Sequence, residues 1–233
     1  MGVIEGLADD LAIASLALAR RFHAGATLWC WSPEPAHLAH HARHVAVEFV
    51  HPVIVGKRAL PAVAVDDPDP ATRLRVLAAP PDVLLAIGGS GQPVAQSLLR
   101  RAGAWGVTTL WLGVGARPDP GGADHVLWLE EAAGCSGYDG SLVRLYHVLW
   151  ELTHVCFEHP GLLDRPPIEE GSRVCVTCAD EAHLGEIDRL TDPVTAIART
   201  AGGVEDVDTT LVGPVQRGDL VLIHAGTAIE RVD

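Results

Sequence analysis

The rhythm of this chain changes near residue 166, and that change constrains the fold more than any single motif. Before it, short apolar runs of strand length at 26–31, 62–65, 83–87 and 107–113 alternate with amphipathic stretches at about 35–50, 70–78 and 92–104, between a leading helix at about 4–24 and a closing one at about 140–158. Alternation of this kind predicts an α/β three-layer sandwich, a parallel sheet between two layers of helices, because a parallel crossover needs a helix to return the chain. After it, short β-branched or apolar runs at 174–177, 183–190, 193–198, 209–212, 220–223 and 228–232 are separated by turn residues. About sixty residues of closely spaced strands predict a small all-β, OB-like barrel. The runs 209–212 and 220–223, divided by Gly213-Pro214 and Arg217-Gly218-Asp219, are expected to pair as a hairpin. The expected organisation is an α/β domain over 1–165, a linker at 166–172 and a barrel over 173–233.

Charge excludes some function classes. The net charge of −13 is shared by both parts, so neither offers a basic footprint for nucleic acid or an anionic membrane. Acidic residues come early (Glu5, Asp9, Asp10), and no apolar run approaches the roughly 18 residues of a membrane span. A cytoplasmic location is expected. Five cysteines, an odd number without an export signal, argue against a disulfide framework. Cys30, Cys135 and Cys156 read as core or loop residues.

Two helices carry matching polar stripes. His37, His41, His44 and Glu48 step by 4, 3 and 4, and so do His147, Glu151, His154 and Glu158. At about 100° per residue each set falls within roughly a 60° wedge of its helix. Imidazoles and carboxylates on facing helices can ligate zinc or another borderline transition metal; the alternative is a solvated or interface face. In the barrel, Cys175 and Cys178 form a C-x-x-C pair whose spacing alone is ambiguous. A structural zinc would need two more ligands, with His183 and His224 as candidates, and a redox dithiol would sit before a helix in a βαβ unit.

The string GDLVLIHAGTAI at 218–229, together with Cys175-Val-Thr-Cys178, resembles the HypC/HupF family of nickel–iron hydrogenase maturation chaperones. The resemblance implies that Cys175 is the functional thiol touching an iron fragment that carries cyanide and carbonyl ligands, with His224 as its companion. It implies as partners a hydrogenase large-subunit precursor and a HypD-like iron–sulfur scaffold. In that family the cysteine is the second residue of the chain; here Cys175 is internal, and Cys178 is a candidate second thiolate.

The strings RALPAVAV at 58–65 and PDVLLAIGGSGQ at 81–92 resemble the SIS (sugar isomerase) fold, and within it the phosphoheptose isomerases. That resemblance implies sugar-phosphate binding by two Ser/Gly-rich loops at strand ends and association into dimers or tetramers through the long first and last helices. It also implies a zinc held by a His and a Glu four apart, matched by His44 and Glu48, with further ligands among His147, Glu151 and His154. The first loop departs from the pattern. It reads CWSPEP at 30–35, where two prolines remove N–H donors and Glu34 repels a phosphate. The second keeps Ser90 and Gly91 and is expected to bind phosphate weakly at best.

Three functions follow from these residues. The first is a hydrogenase maturation chaperone with a degenerate SIS domain that oligomerises or binds a ligand or metal. The second is an aldose–ketose isomerase in which Glu48 is the base and His147 or His154 the acid. The third is a non-catalytic sugar-phosphate or nucleotide binding module that regulates a partner.

Overall fold

The computed structural model of the chain describes residues 4–33, 36–130, 140–164 and 182–232, leaving aside the side chains of 36–39. The first part runs α1 (Ala8–His23), β1 (Leu28–Trp31), α2 (Ala36–Val50), β2 (Ala62–Ala64), α3 (Pro70–Leu77), β3 (Val83–Ile87), α4 (Pro93–Ala104), β4 (Thr108–Val114), β5 (His125–Leu129) and α5 (Ser141–Glu158). Local chemistry sets several of these boundaries. Asp69 caps α3 by accepting from the Thr72 N–H, and Pro70 and Pro93 open α3 and α4 where a missing N–H is no loss. Gly106, at φ 78°, turns the chain out of α4 toward β4.

The five strands run parallel in the order β2-β1-β3-β4-β5. Side chains alternate across this sheet, so Leu28, Cys30, Leu85 and Ile87 join a core with α1, α2 and α5. Trp31, Leu84, Ala86 and Trp111 join a second core with α3 and α4. Both cores meet at β3, buried along its whole length. This is the expected SIS-like sandwich, with β5 added as an edge strand that the sequence reading did not place.

The second part is a closed barrel of β6 (His183–Leu190), β7 (Thr195–Thr200), β8 (Gly203–Asp208), β9 (Leu220–His224) and β10 (Thr227–Val232), in the order β10-β8-β7-β6-β9. The expected strand at 174–177 and the linker at 166–172 lie outside the described residues. Among those described, no helix is long and apolar enough to cross a membrane.

The hairpin expected between 209–212 and 220–223 is corrected by the structure. Asp208 accepts from the Thr210 N–H at 2.8 Å, the Val212 N–H donates to the Thr209 carbonyl, and the segment turns across the barrel end. The local Asx turn wins over the β-branched composition. The hairpin is instead β9–β10, with His224 opposite Thr227 across the two-residue loop Ala225-Gly226. Both loop residues have positive φ, 49° and 77°, as the tight turn compatible with strand twist requires.

Candidate metal centre

Helices α2 and α5 lie side by side on one face of the sheet and bring part of the two stripes together. His44 Nε2 lies 3.1 Å from Glu48 Oε1, one helical turn along α2, and His147 Nε2 lies 3.8 Å from the same oxygen. One ligand atom from each of these residues falls within 4.8 Å of the others. Ligand atoms about 3.4 Å apart are what a tetrahedral ion with bonds of roughly 2.0–2.2 Å requires. The two imidazoles and the carboxylate therefore fit a borderline divalent ion at three positions and leave a fourth open to solvent, since all three residues are part-exposed.

Tyr146, next to His147, completes the arrangement. Its hydroxyl is 2.8 Å from His44 Nδ1 and 3.4 Å from His41 Nδ1. Burial, followed by the Glu48 charge, pushes its pKa up to about 12, so it stays a neutral phenol. A phenol can donate or accept, and it can therefore hold His44 in either tautomer, including the one whose Nε2 faces an ion. The stripe pattern did not point to Tyr146; the signal was a tyrosine beside a candidate ligand, since a buried phenol needs a polar partner.

The far end of the α5 stripe goes elsewhere. Glu151 and Glu158 pair with Lys57 at 3.1 and 2.8 Å. His154 is buried, with Nδ1 2.9 Å from the Trp150 carbonyl and Nε2 3.0 Å from the Arg58 carbonyl, so both ring nitrogens face the backbone and not the cluster. The structure thus gathers His44, Glu48 and His147 and sets Glu151 and His154 apart, against their inclusion in the ligand set. Of the two candidate acids, His147 is the one that approaches the Glu48 carboxylate, at 3.8 Å, while His154 contacts the Trp150 and Arg58 carbonyls. The His37 side chain lies outside the described residues.

The strand ends where the sugar-isomerase resemblance implies a sugar phosphate, expected here to bind weakly at best, are covered by the chain itself. The Ser90 hydroxyl donates to the Ala116 carbonyl at 2.7 Å, and the Ser32 hydroxyl donates to the Ile87 carbonyl at 2.8 Å. A Cβ on Gly88 would meet Gln92 Oε1 at 2.6 Å and Pro33 Cγ at 3.2 Å, so these two side chains cover the backbone that a phosphate would approach. Gln92 Oε1 is a buried acceptor without a hydrogen bond, a poor neighbour for an anion. Gly91 is exposed on the same loop, and Glu34 and Pro35 lie outside the described residues.

In the barrel, His224 is half-buried at the end of β9, directly before the tight turn. Cys175 and Cys178 lie outside the described residues.

Residues 173–233 match the HupF/HypC family. Among curated proteins, none matches the chain. Among solved structures, the chain is similar to a phosphoheptose isomerase from Francisella tularensis, at 17% identity and a TM-score of 0.52 over 62% of this chain and 85% of that one. It is also similar to the NanR protein of Vibrio vulnificus complexed with ManNAc-6P, at 17% identity and a TM-score of 0.49 over 69% of this chain and 62% of that one. A third similarity is to the sugar isomerase domain of an RpiR transcription factor from Sphaerobacter thermophilus, at 18% identity and a TM-score of 0.47 over 69% of this chain and 89% of that one. At such identities the first of these likenesses speaks for the fold of the helix–sheet part alone.

Proposed function

We propose that this chain is a maturation factor for a nickel–iron hydrogenase, in which the barrel is the chaperone and the helix–sheet part is its metal-binding, self-associating platform. The observation that carries the reading is the HupF/HypC match over 173–233, which takes in the whole barrel and both Cys175 and His224. A soft thiolate and an imidazole suit low-spin ferrous iron, and two protein ligands leave positions open for transfer of the fragment. On this reading the iron fragment is cargo, received from or passed to a HypD-like scaffold and delivered to a large-subunit precursor.

The test is hydrogenase activity in a deletion strain complemented with Cys175→Ser, Cys178→Ser or His224→Ala. We expect activity to be lost with Cys175→Ser, reduced with His224→Ala and largely kept with Cys178→Ser. Full activity with Cys175→Ser rejects the iron-carrying role.

The second reading, an aldose–ketose isomerase, is favoured by the placement of the Glu48 carboxylate between two imidazoles on a phosphoheptose-isomerase-like fold. Glu48 would move the proton and His147 would serve as the acid, while an ion bound beside them would polarise the substrate carbonyl. The filled strand ends speak against it, because enediol chemistry needs the phosphate held in place. We expect no turnover of sedoheptulose 7-phosphate with zinc added. Turnover that disappears with Glu48→Gln would install the isomerase reading instead.

A further inference from the structure

The barrel meets the helix–sheet part largely through one strand. Glu186, in the middle of β6, is 2% exposed, although its neighbour Ile187 and not Glu186 belongs to the barrel core. Strand alternation turns Glu186 outward, so its burial comes from the other half. Its Oε2 accepts from Arg75 Nε at 2.8 Å and from Trp105 Nε1 at 2.7 Å, and its Oε1 accepts from Arg101 Nη1 at 2.8 Å. Arg75 and Arg101 stand on α3 and α4, and Trp105 directly follows α4. Every one of these donors belongs to the helix–sheet part.

Further contacts brace this one. Arg75 also donates to Asp188, two residues along the barrel chain, at 2.6 Å, and Arg101 donates to the Gly218 carbonyl before β9. In the opposite direction Arg199 of β7 reaches the carbonyls of Arg75 and Ala78 at the end of α3, at 2.6 and 3.3 Å. A cation there completes the orphan carbonyls of a helix C-terminus. The same guanidinium lies 5.5 Å from the centre of the Trp105 ring. At Gly106 the turn between β7 and β8 comes so close that a Cβ would lie 3.2 Å from Ala201 Cα.

A carboxylate withdrawn from water is tolerated only when paired and hydrogen-bonded, and this one is met by two guanidinium groups and an indole in fixed positions. Exposed ion pairs between domains do not have this form. A cavity of about 580 Å³ opens beside the contact, between Thr72 and Arg101 on one side and Gln216 and Arg217 on the other, and brings solvent to the arginines.

We propose that the α3–α4 face is an interaction surface built to receive an acidic β-strand, that its occupant is this chain's own barrel, and that Glu186 is the anchor. While it is seated, the β6 face of the barrel is closed to other proteins, and any partner of the barrel approaches from elsewhere. The inference does not depend on the hydrogenase reading, because the interface is read from its own atoms.

The test uses the full chain. Small-angle X-ray scattering is measured on the native protein, on Glu186→Gln, on Arg199→Ala and on a control, Glu230→Gln on β10. Exchange of the Trp105 indole proton is followed by NMR on the same samples. The native chain and the control are expected to scatter as one rigid body with a slowly exchanging Trp105 indole. Glu186→Gln is expected to raise that exchange rate by roughly tenfold or more and to enlarge the maximum dimension, with Arg199→Ala changing both in the same direction. Unchanged scattering and exchange in Glu186→Gln overturn the proposal. So does a native chain whose scattering requires two bodies moving independently, and that measurement stands even where a variant fails to fold.

Discussion

The two halves of this molecule are held together inside by different means. The helix–sheet part has two cores that bury Phe49, Tyr146, Trp105, Trp111 and Trp128 among many leucines. Among the described residues the barrel core consists of Ile187, Ala196, Ala198, Val207, Val215, Val221, Ile223 and Ala228, without an aromatic ring. A barrel of this size removes little apolar surface from water and is marginal by that measure alone. What it lacks in core it makes up in ordered polar contacts, at its turns and against its neighbour. The lesson is that the same chain can rely on packing in one region and on directed hydrogen bonds in another, and the two respond to different perturbations.

The sharpest way to break this contrast is to overfill both halves. A Cβ at Gly113 would lie 2.2 Å from two carbons of the Trp128 ring and 2.4 Å from the Gly88 carbonyl, neighbours that cannot move cheaply. Gly113→Ala should therefore lower stability by about 3 kcal/mol in urea denaturation. At Gly185 in the barrel the nearest atom is the mobile Cδ1 of Ile223, at 2.4 Å, and Gly185→Ala should cost about 1 kcal/mol. Equal losses would mean that the barrel is packed as rigidly as the sheet.

A metal should separate the halves next. His44, Glu48 and His147 lie wholly in the helix–sheet part, so zinc at about a hundred times its Kd should raise the stability of that part by about 2.7 kcal/mol. The His44→Ala, Glu48→Ala double variant should lose both this gain and the metal found by elemental analysis. Equal metal in both proteins, or none in either, leaves the stripes as solvated helix faces.

Acid should act first on the barrel, whose described residues carry three depressed carboxyls against Asp69 and Glu158 in the larger helix–sheet part. The Arg75 guanidinium holds the Asp188 carboxyl below its ordinary range, and turn N–H and hydroxyl groups do the same for Asp192 and Asp208. A carboxyl depressed in the fold contributes stability above its unfolded pKa, near 3.8, and that contribution fades as the pH falls through the lower folded value. Far-UV circular dichroism and amide NMR between about pH 5 and 2 should show barrel signals lost before those of β3 and β4. Simultaneous loss would count against the contrast.

The smallest expected effect belongs to His125 at the edge of the sheet. Burial pushes its pKa down, with Asp124 opposing and Arg21 assisting. Its neutral form is favoured in the fold, so stability is fully present above the unfolded pKa near 6.5 and declines as the pH falls from there toward the folded value. His125→Gln should flatten the stability profile below about pH 6.5, as measured by thermal melts.

Much of this architecture was legible in the residues because burial leaves a pattern. The all-apolar β3 and the period of α2 and α5 declared themselves, as did β6. β8 did not, because GVEDVD shows the core only Val207 and presents acidic side chains to solvent. The run 209–212 misled for the opposite reason: it has the composition of a strand, and an Asp one residue earlier folds it into a turn. At the candidate site, two stripes with the same spacing predicted one cluster. The structure divides the second stripe because Lys57, from the loop after α2, draws Glu151 and Glu158 away. A periodicity shows which residues share a face, and tertiary neighbours decide which of them remain available.

The separation in sequence between Glu186 and its donors has a consequence for how the chain comes into being. Trp105 precedes Glu186 by 81 residues and Arg75 precedes it by 111. Domains generally fold as units as they leave the ribosome, the earlier one first. The residues of the cationic socket are therefore made before β6, by the several seconds that some eighty residues need at roughly 5–20 residues per second. The earlier half acts as a mould in time as well as in space, and a newborn barrel with little core of its own emerges beside the surface that can steady it.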